Sequence, residues 1–291
     1  MKSNITNSST FKISPRQAKK RLGQHFLRDR QVISRIIDLA APKPGESVLE
    51  IGPGEGVLTA ALLESGARVV AVEADRDLWE PLEKRFSSVS AADFSLQCGD
   101  FLKLDFDQVF AKNQNLSTPV AVVANIPYQI TTPILFKLIK YRHLFSRAIL
   151  MMQEEVAARL LAEPGSRDYG RLTVGVGLYC DIDSGFKVSP GAFSPRPKVW
   201  SRVVRLEFLD QPRYPVADTV FFELLVQTLF SQRRKQIINP LKGLLTNLKR
   251  EELSEKLVAA GFTPSDRPAT LAPDELVRLA DCLVAWQKRV V

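Results

Sequence analysis

Ser47-Val48-Leu49-Glu50-Ile51-Gly52-Pro53-Gly54-Glu55-Gly56-Val57-Leu58-Thr59 is the stretch whose reading decides the fold. Its first five residues read as a strand with an acid, Glu50, near its end. Glycines in G-x-G-x-G spacing follow at once, and Val57 to Glu64 has helical periodicity closed by Gly66. Strand, glycine-rich turn and helix form the nucleotide-cradling element of Rossmann-like folds. The glycines admit a ligand where any Cβ would collide with it. A second strand, Arg68 to Val72, ends in Glu73, about 20 residues past the glycines, the spacing at which a carboxylate grips ribose hydroxyls.

The α/β alternation extends outward in both directions. Upstream, Asp29 can cap a helix that places Val32, Ile33, Ile36, Ile37 and Ala40 on one face and ends at Pro42 and Pro44. Downstream, Asp75 to Phe86 reads as a helix and Phe94 to Cys98 as a third strand. Asp100 just past that strand can accept a hydrogen bond from an adenine amine or simply sit in a turn. Pro119 to Ala124 is a fourth strand, β-branched and buried in character. Further strands are expected at Arg147–Gln153, Ile182–Val188 and Trp200–Phe208, with helices at Thr131–Leu138 and Glu154–Leu161; Leu172 to Tyr179 could be helix or strand.

The fourth strand delivers Asn125-Ile126-Pro127-Tyr128 to the carboxyl edge of the sheet, where open α/β sheets bind ligands. The tetrad offers an amide that donates and accepts, carbonyls on a stiff X-Pro unit, and an aromatic face. That combination suits an exocyclic amine on a flat base, although Asn and Pro are also common turn residues. Pro190-Gly191-Ala192-Phe193-Ser194-Pro195-Arg196-Pro197-Lys198 is a proline-stiffened loop with an aromatic and two cations. It is equally suited to gripping an unstacked base and to crossing between strands.

Composition narrows the class. The chain of 291 residues is 45% hydrophobic and 25% charged, ordinary for a soluble globular protein of one large or two modest domains. No apolar run approaches the roughly 20 residues that span a bilayer. Cys98, Cys180 and Cys282 are far apart without C-x-x-C spacing, so neither a disulfide framework nor a metal site is expected, and a reducing cytosol fits. The net charge of +8 is concentrated in residues 1–28, where Lys2, Lys12, Arg16, Lys19, Lys20, Arg21 and Arg28 meet no acid. Such an arm suggests a polyanion, nucleic acid before membrane. Residues 1–14, rich in Ser, Thr and Asn, read as a disordered tail. Low Arg content and an early start to the patterned sequence argue against an organelle transit peptide.

Pro212 and Pro215 mark a change of pattern. Helices are expected at about 217–231, 234–246, 251–260 and 273–288, giving a division into residues 1–14, 15–209 and 210–291. Arg233-Arg234-Lys235 is the dense basic cluster of the last part; in register along a helix it would fit backbone phosphates.

Gln24-His25-Phe26-Leu27, Glu50 through Thr59, Gly99-Asp100-Phe101, Asn125-Ile126-Pro127-Tyr128, Phe193 through Val199 and Arg233-Arg234-Lys235 stand together in one order. In this the chain closely resembles the small-subunit ribosomal RNA adenine N6,N6-dimethyltransferases (the KsgA/RsmA type), from about residue 15 to the C-terminus. The resemblance implies a Rossmann-like S-adenosylmethionine-dependent methyltransferase fold with a mostly parallel seven-stranded sheet and a small C-terminal all-α RNA-binding domain. It implies transfer of methyl groups from S-adenosylmethionine to two adjacent adenosines in a hairpin near the 3′ end of small-subunit RNA, linked to subunit maturation. Partner and setting would be an immature small subunit met by a cytoplasmic monomer, with no metal and no membrane.

Carried over by position, His25, Leu27, Gly52, Gly54, Glu73, Asp100 and Asn125 would form the cofactor pocket. Asn125, Ile126, Pro127, Tyr128 and Phe193 would hold the target base. Lys19, Lys20, Arg21, Arg196, Lys198, Arg233, Arg234 and Lys235 would meet RNA. One departure stands at His25, where members often carry Asn; a ring nitrogen can still hydrogen-bond. The alternatives are a related adenine N6-methyltransferase acting on large-subunit RNA, and a non-catalytic RNA-binding factor on the same fold.

Overall fold

The structure, a computed structural model, describes residues 24–112 and 117–288. The expected tail, and the cations Lys19, Lys20 and Arg21, lie outside the described residues. The chain runs β1 (Phe26–Leu27), α1 (Arg30–Ala40), β2 (Ser47–Ile51), α2 (Val57–Glu64), β3 (Arg68–Glu73), α3 (Arg76–Arg85), β4 (Phe94–Cys98) and α4 (Phe106–Lys112). It continues through β5 (Val120–Asn125), α5 (Thr131–Lys140), β6 (Phe145–Gln153), α6 (Glu154–Leu160), α7 (Arg171–Gly177), β7 (Cys180–Val188), β8 (Phe193–Ser194) and β9 (Ser201–Phe208). Helices α8 (Thr219–Ser231), α9 (Ile238–Leu244), α10 (Arg250–Ala259) and α11 (Pro273–Lys288) complete it.

Seven strands form one sheet in the order β4-β3-β2-β5-β6-β9-β7. The pairs from β4 to β6 are parallel, and β9 is antiparallel to both of its neighbours. Alternation along the central strands feeds two separate cores, as a pleated sheet covered on both faces requires. Leu49, Ile51, Val70, Val72, Val120 and Val122 face one cluster, joined by Ile134, Leu135 and Leu138 of α5. Val48, Val69, Ala71, Ala121 and Val123 face the other, with Ile33, Ile36, Leu58 and Leu62 of α1 and α2. Each of the Val, Leu and Ile side chains among them contributes roughly 1.5–3 kcal/mol of burial.

Asp29 caps α1 as its sequence suggests, its carboxylate accepting from the amides of Gln31 and Val32. The other end of α1 is closed by arginines. Arg147 donates to the Ala40 and Ala41 carbonyls and Arg205 to the Leu39 carbonyl, satisfying groups that a helix terminus leaves orphaned. Leu172 to Tyr179, open between helix and strand, is mostly helix α7.

Beyond β9 the connection is pinned to the body: the Leu209 amide donates to the Tyr179 carbonyl, and Arg213 reaches Gly177, Cys180 and Asp181. Phe222, Leu225 and Leu229 of α8 continue the same cluster as Val174 and Val176 of α7, so the C-terminal helices share a core with the sheet unit. Among the described residues no helix is long and apolar enough to cross a membrane. No group of His, Cys, Asp or Glu among them could hold a metal ion.

Candidate active site

The chain passes from β2 to β3 and β4 on one side, then returns to place β5 on the other side of β2. The crevice beyond the carboxyl ends of β2 and β5 is therefore the topological switch point, where a ligand meets no crossover. A cavity of about 210 Å³ opens there, walled by Gln24, His25, Gly52, Gly54, Glu73, Asp100 and the whole Asn125–Tyr128 tetrad.

Gly52 has φ of +68°, a left-handed conformation that side chains resist, and a Cβ built on it would meet nothing within 4 Å. The space it keeps clear is the cavity itself. Gly56 differs: a Cβ there would lie 2.7 Å from the Phe86 ring, so this glycine serves packing of the loop on α3.

Glu73 is 6% exposed, and its carboxylate accepts from the Gly54 amide at 3.1 Å and the Asp75 amide at 2.7 Å. The acid is thus tied to the glycine loop, and burial raises its pKa despite those bonds. Asp100, which lines the cavity, uses Oδ1 to cap the turn that follows it, accepting from Leu102 at 2.9 Å and leaving Oδ2 outside that bond. Acceptors on both sides of an uncluttered glycine turn are a donor-seeking set that could hold a nucleoside-bearing cofactor.

Glu50, beneath the glycine loop, is 1% exposed and has an Oε2 with no hydrogen-bond partner among the described residues. Burial pushes its pKa up to about 8; Thr59 and Arg85 oppose the rise and Glu73 adds to it. The carboxyl is neutral over most of the physiological range.

Asn125 is the last residue of β5, and its Nδ2 donates to the His25 carbonyl at 3.0 Å. A carbonyl can only accept, so this bond fixes the sense of the amide and leaves Oδ1, a pure acceptor, for the crevice. The Ile126 amide is spent on the Met151 carbonyl at 3.0 Å, whereas its own carbonyl is unpaired among the described residues. Pro127 leads into a short turn, Tyr128–Ile130, fastened by Thr131. The Tyr128 hydroxyl bonds Ser201 Oγ at 2.7 Å, and its ring lies 5.6 Å from the His25 ring with 30° between planes. His25 Nδ1 donates to the Pro195 carbonyl at 2.8 Å, so Nε2 is the ring nitrogen outside that bond.

Not every expected site residue lies here. Leu27 is 6% exposed and belongs to the core beneath the crevice. The Phe193 loop is expected to present its aromatic, yet Phe193 is 3% exposed: it pairs with Leu27 in a two-stranded ribbon and sinks into the same core. Arg196 and Lys198 are exposed on that loop, as expected. Arg233-Arg234-Lys235 departs from expectation in form. The cluster falls in the turn between α8 and α9, because α8 ends at Ser231 and α9 begins only at Ile238. Arg233 is occupied by the Ser166 and Arg167 carbonyls, while Arg234 and Lys235 are exposed.

Two residues of the site escape a reading of the sequence. Gln24 donates its amide to Asp75 at 2.8 Å across the mouth of the crevice, and its place beside His25 is the only signal of it. Lys137 donates its ammonium to the Leu102 and Leu104 carbonyls at 2.9 and 2.7 Å and so fastens the Asp100 turn to α5. Nothing local marks that residue; the two segments meet only in the fold.

Known proteins agree with this geometry. Residues 16–276 match the family described as ribosomal RNA adenine dimethylase. The ribosomal RNA small subunit methyltransferase A of Geobacter metallireducens is 42% identical over 92% of this chain and 96% of its own length. That of Pseudomonas putida is 42% identical over 94% and 97%. Among solved structures, a dimethyladenosine transferase from Plasmodium falciparum superposes with a TM-score of 0.74, at 28% identity over 92% of this chain and 99% of that one. The 23S rRNA methyltransferase ErmE gives 0.63, at 30% identity over 89% and 99%. A family match over most of the length and relatives of this closeness, on a crevice built for a nucleoside cofactor and an amine, place the chain in the ribosomal RNA adenine dimethylase family.

Proposed function

We propose that the crevice dimethylates N6 of two adjacent adenosines in the hairpin near the 3′ end of small-subunit ribosomal RNA, with S-adenosylmethionine as donor. The observation that carries this reading is the fixed amide of Asn125, with Oδ1 and the neighbouring Ile126 carbonyl both left as acceptors. Glu73, Asp100, Gly52, Gly54 and His25 hold the cofactor, which supplies a methyl group on a sulfonium already reactive enough to need no activation.

The chain's own work is directed at the amine. An adenine N6 is a poor nucleophile because its lone pair is delocalised into the ring. Asn125 Oδ1 and the Ile126 carbonyl accept its two N–H bonds, favouring a pyramidal nitrogen aimed at the methyl group. Tyr128, steadied by Ser201, gives the base a face to stack on, worth about 1–3 kcal/mol. Alignment of the two reactants contributes several kcal/mol more, through the proximity effect of intramolecular reactions. The base reaches this depth only when unstacked from its neighbours.

The working unit in this reading is a monomer, acting in the cytoplasm on an immature small subunit. Relatives at 42% identity named for the small subunit favour that substrate over large-subunit RNA. Asn125→Ala tests the reading: kcat should fall by orders of magnitude while RNA affinity changes little. Lost RNA binding with near-normal turnover would overturn it. Labelled donor supplied with immature small subunits, large subunits and naked RNA identifies the substrate; label absent from adenine would refute methyl transfer itself.

A further inference from the structure

Trp200 is 52% exposed and its neighbour Val199 41%, although side chains of this kind ordinarily go inside. Their position links them to the crevice. Trp200 directly precedes Ser201, the residue that bonds the Tyr128 hydroxyl. Its carbonyl accepts from the Glu154 amide at 2.9 Å, so the indole projects from a fastened backbone. Val220 and Leu224 of α8 and Val258 of α10, also exposed, have no such link.

The charges around the indole are of two kinds. Lys187 and Arg202 share an ion pair with the single carboxylate of Glu154. Arg196 and Lys198, exposed on the loop that leads to Trp200, make no ion pair among the described residues. A large aromatic beside uncompensated cations on a proline-stiffened loop is the makeup of a single-strand nucleic-acid contact.

We propose that Trp200 is a stacking platform for an unpaired RNA base flanking the target adenine, with Arg196 and Lys198 on the adjoining phosphates. The proposal rests on the RNA-methylating reading above and adds a subsite to it. Drawing a base out of its stack strips the neighbouring base of a partner. An exposed indole one residue from Ser201, the partner of Tyr128, offers that base a replacement face, and it is independent of Tyr128, which serves the target itself.

The test uses the full chain and an RNA hairpin with two adjacent unpaired adenosines, with binding measured by fluorescence anisotropy without cofactor. Trp200→Ala should weaken binding by about 5- to 150-fold, the factor equivalent to a stacking contact of about 1–3 kcal/mol. Trp200→Phe should retain most of the affinity, and cofactor binding should be unchanged in both. An abasic residue at one flanking position should weaken the native protein by a similar factor and Trp200→Ala hardly further. Equal abasic penalties in the two proteins would overturn the platform, as would loss of cofactor affinity in Trp200→Ala. Because this readout needs no methyl transfer, a native protein that shows the coupling yet fails to label adenine would refute the reaction and leave the platform standing.

Discussion

Replacing Glu50 by Gln should stabilise the protein at pH 8 and leave it little changed at pH 4.5. The carboxyl titrates at about 8 in the fold against 4.5 as its ordinary value. Between those values the native state holds a proton that the unfolded chain has released. Stability therefore falls as pH rises through that window, and the full penalty is present above pH 8. At about 1.4 kcal/mol per pH unit, the ceiling is about 5 kcal/mol. Gln preserves the shape and cannot ionise, so the variant escapes the penalty. For a protein of this size about 1 kcal/mol corresponds to roughly 2–4 °C in Tm, which puts the greatest gain at about 10–20 °C. Thermal melts of both proteins from pH 4.5 to 8.5 measure it, and taking their difference cancels every other titrating group. A difference that stays flat with pH, or a variant less stable at pH 8, would refute the assignment of a buried neutral carboxyl.

Lys137→Met keeps an apolar stem but removes both bonds to the Asp100 turn. Cofactor affinity measured by calorimetry should drop about 30-fold or more, in line with about 1 kcal/mol or more for each of the two charged hydrogen bonds removed; unchanged affinity would show that the turn holds itself. Gly52→Ala strains a left-handed residue by about 1–2 kcal/mol and intrudes on the crevice. It should therefore impair cofactor binding more than stability, and the reverse ranking would remove Gly52 from the pocket. Arg234→Ala with Lys235→Ala should lower the slope of log K against log salt by about 0.7–0.9 for each phosphate the pair would otherwise neutralise. An unchanged slope would make the pair a solvated surface.

Periodicity serves best where the chain is regular. The span Val57–Glu64 expected for α2 is the span it occupies, and Asp29 and Asp75 cap the helices that follow them. Strands buried on both faces read clearly because they must be apolar throughout. Two-residue strands such as β1 and β8 carry no period, so the ribbon that buries Phe193 is illegible in the sequence. The end of the helix at 231 is legible, but the next helix, expected from about 234, begins only at Ile238, so Arg234 and Lys235 fall in the turn with neither Gly nor Pro to announce its length. Of the site, the residues that face the crevice through local motifs are legible. Those acting across the fold, Lys137 and the Arg147 and Arg205 caps of α1, become visible only when distant segments are brought together.

The small ribbon has a consequence for the order of events. Phe26-Leu27, which continues from the His25 wall of the crevice, is laced to Phe193-Ser194, which leads into Arg196 and Lys198. In the proposed roles, the two substrates would hold opposite ends of one backbone ladder. Whichever arrives first would then meet part of the ordering cost of the second, and any such help is mutual by thermodynamic necessity. Cofactor should sharpen the protein's grip on RNA by the same factor as RNA sharpens its grip on cofactor. A nucleic-acid titration with and without cofactor reads that factor directly, and a factor of one would mean the ladder transmits nothing.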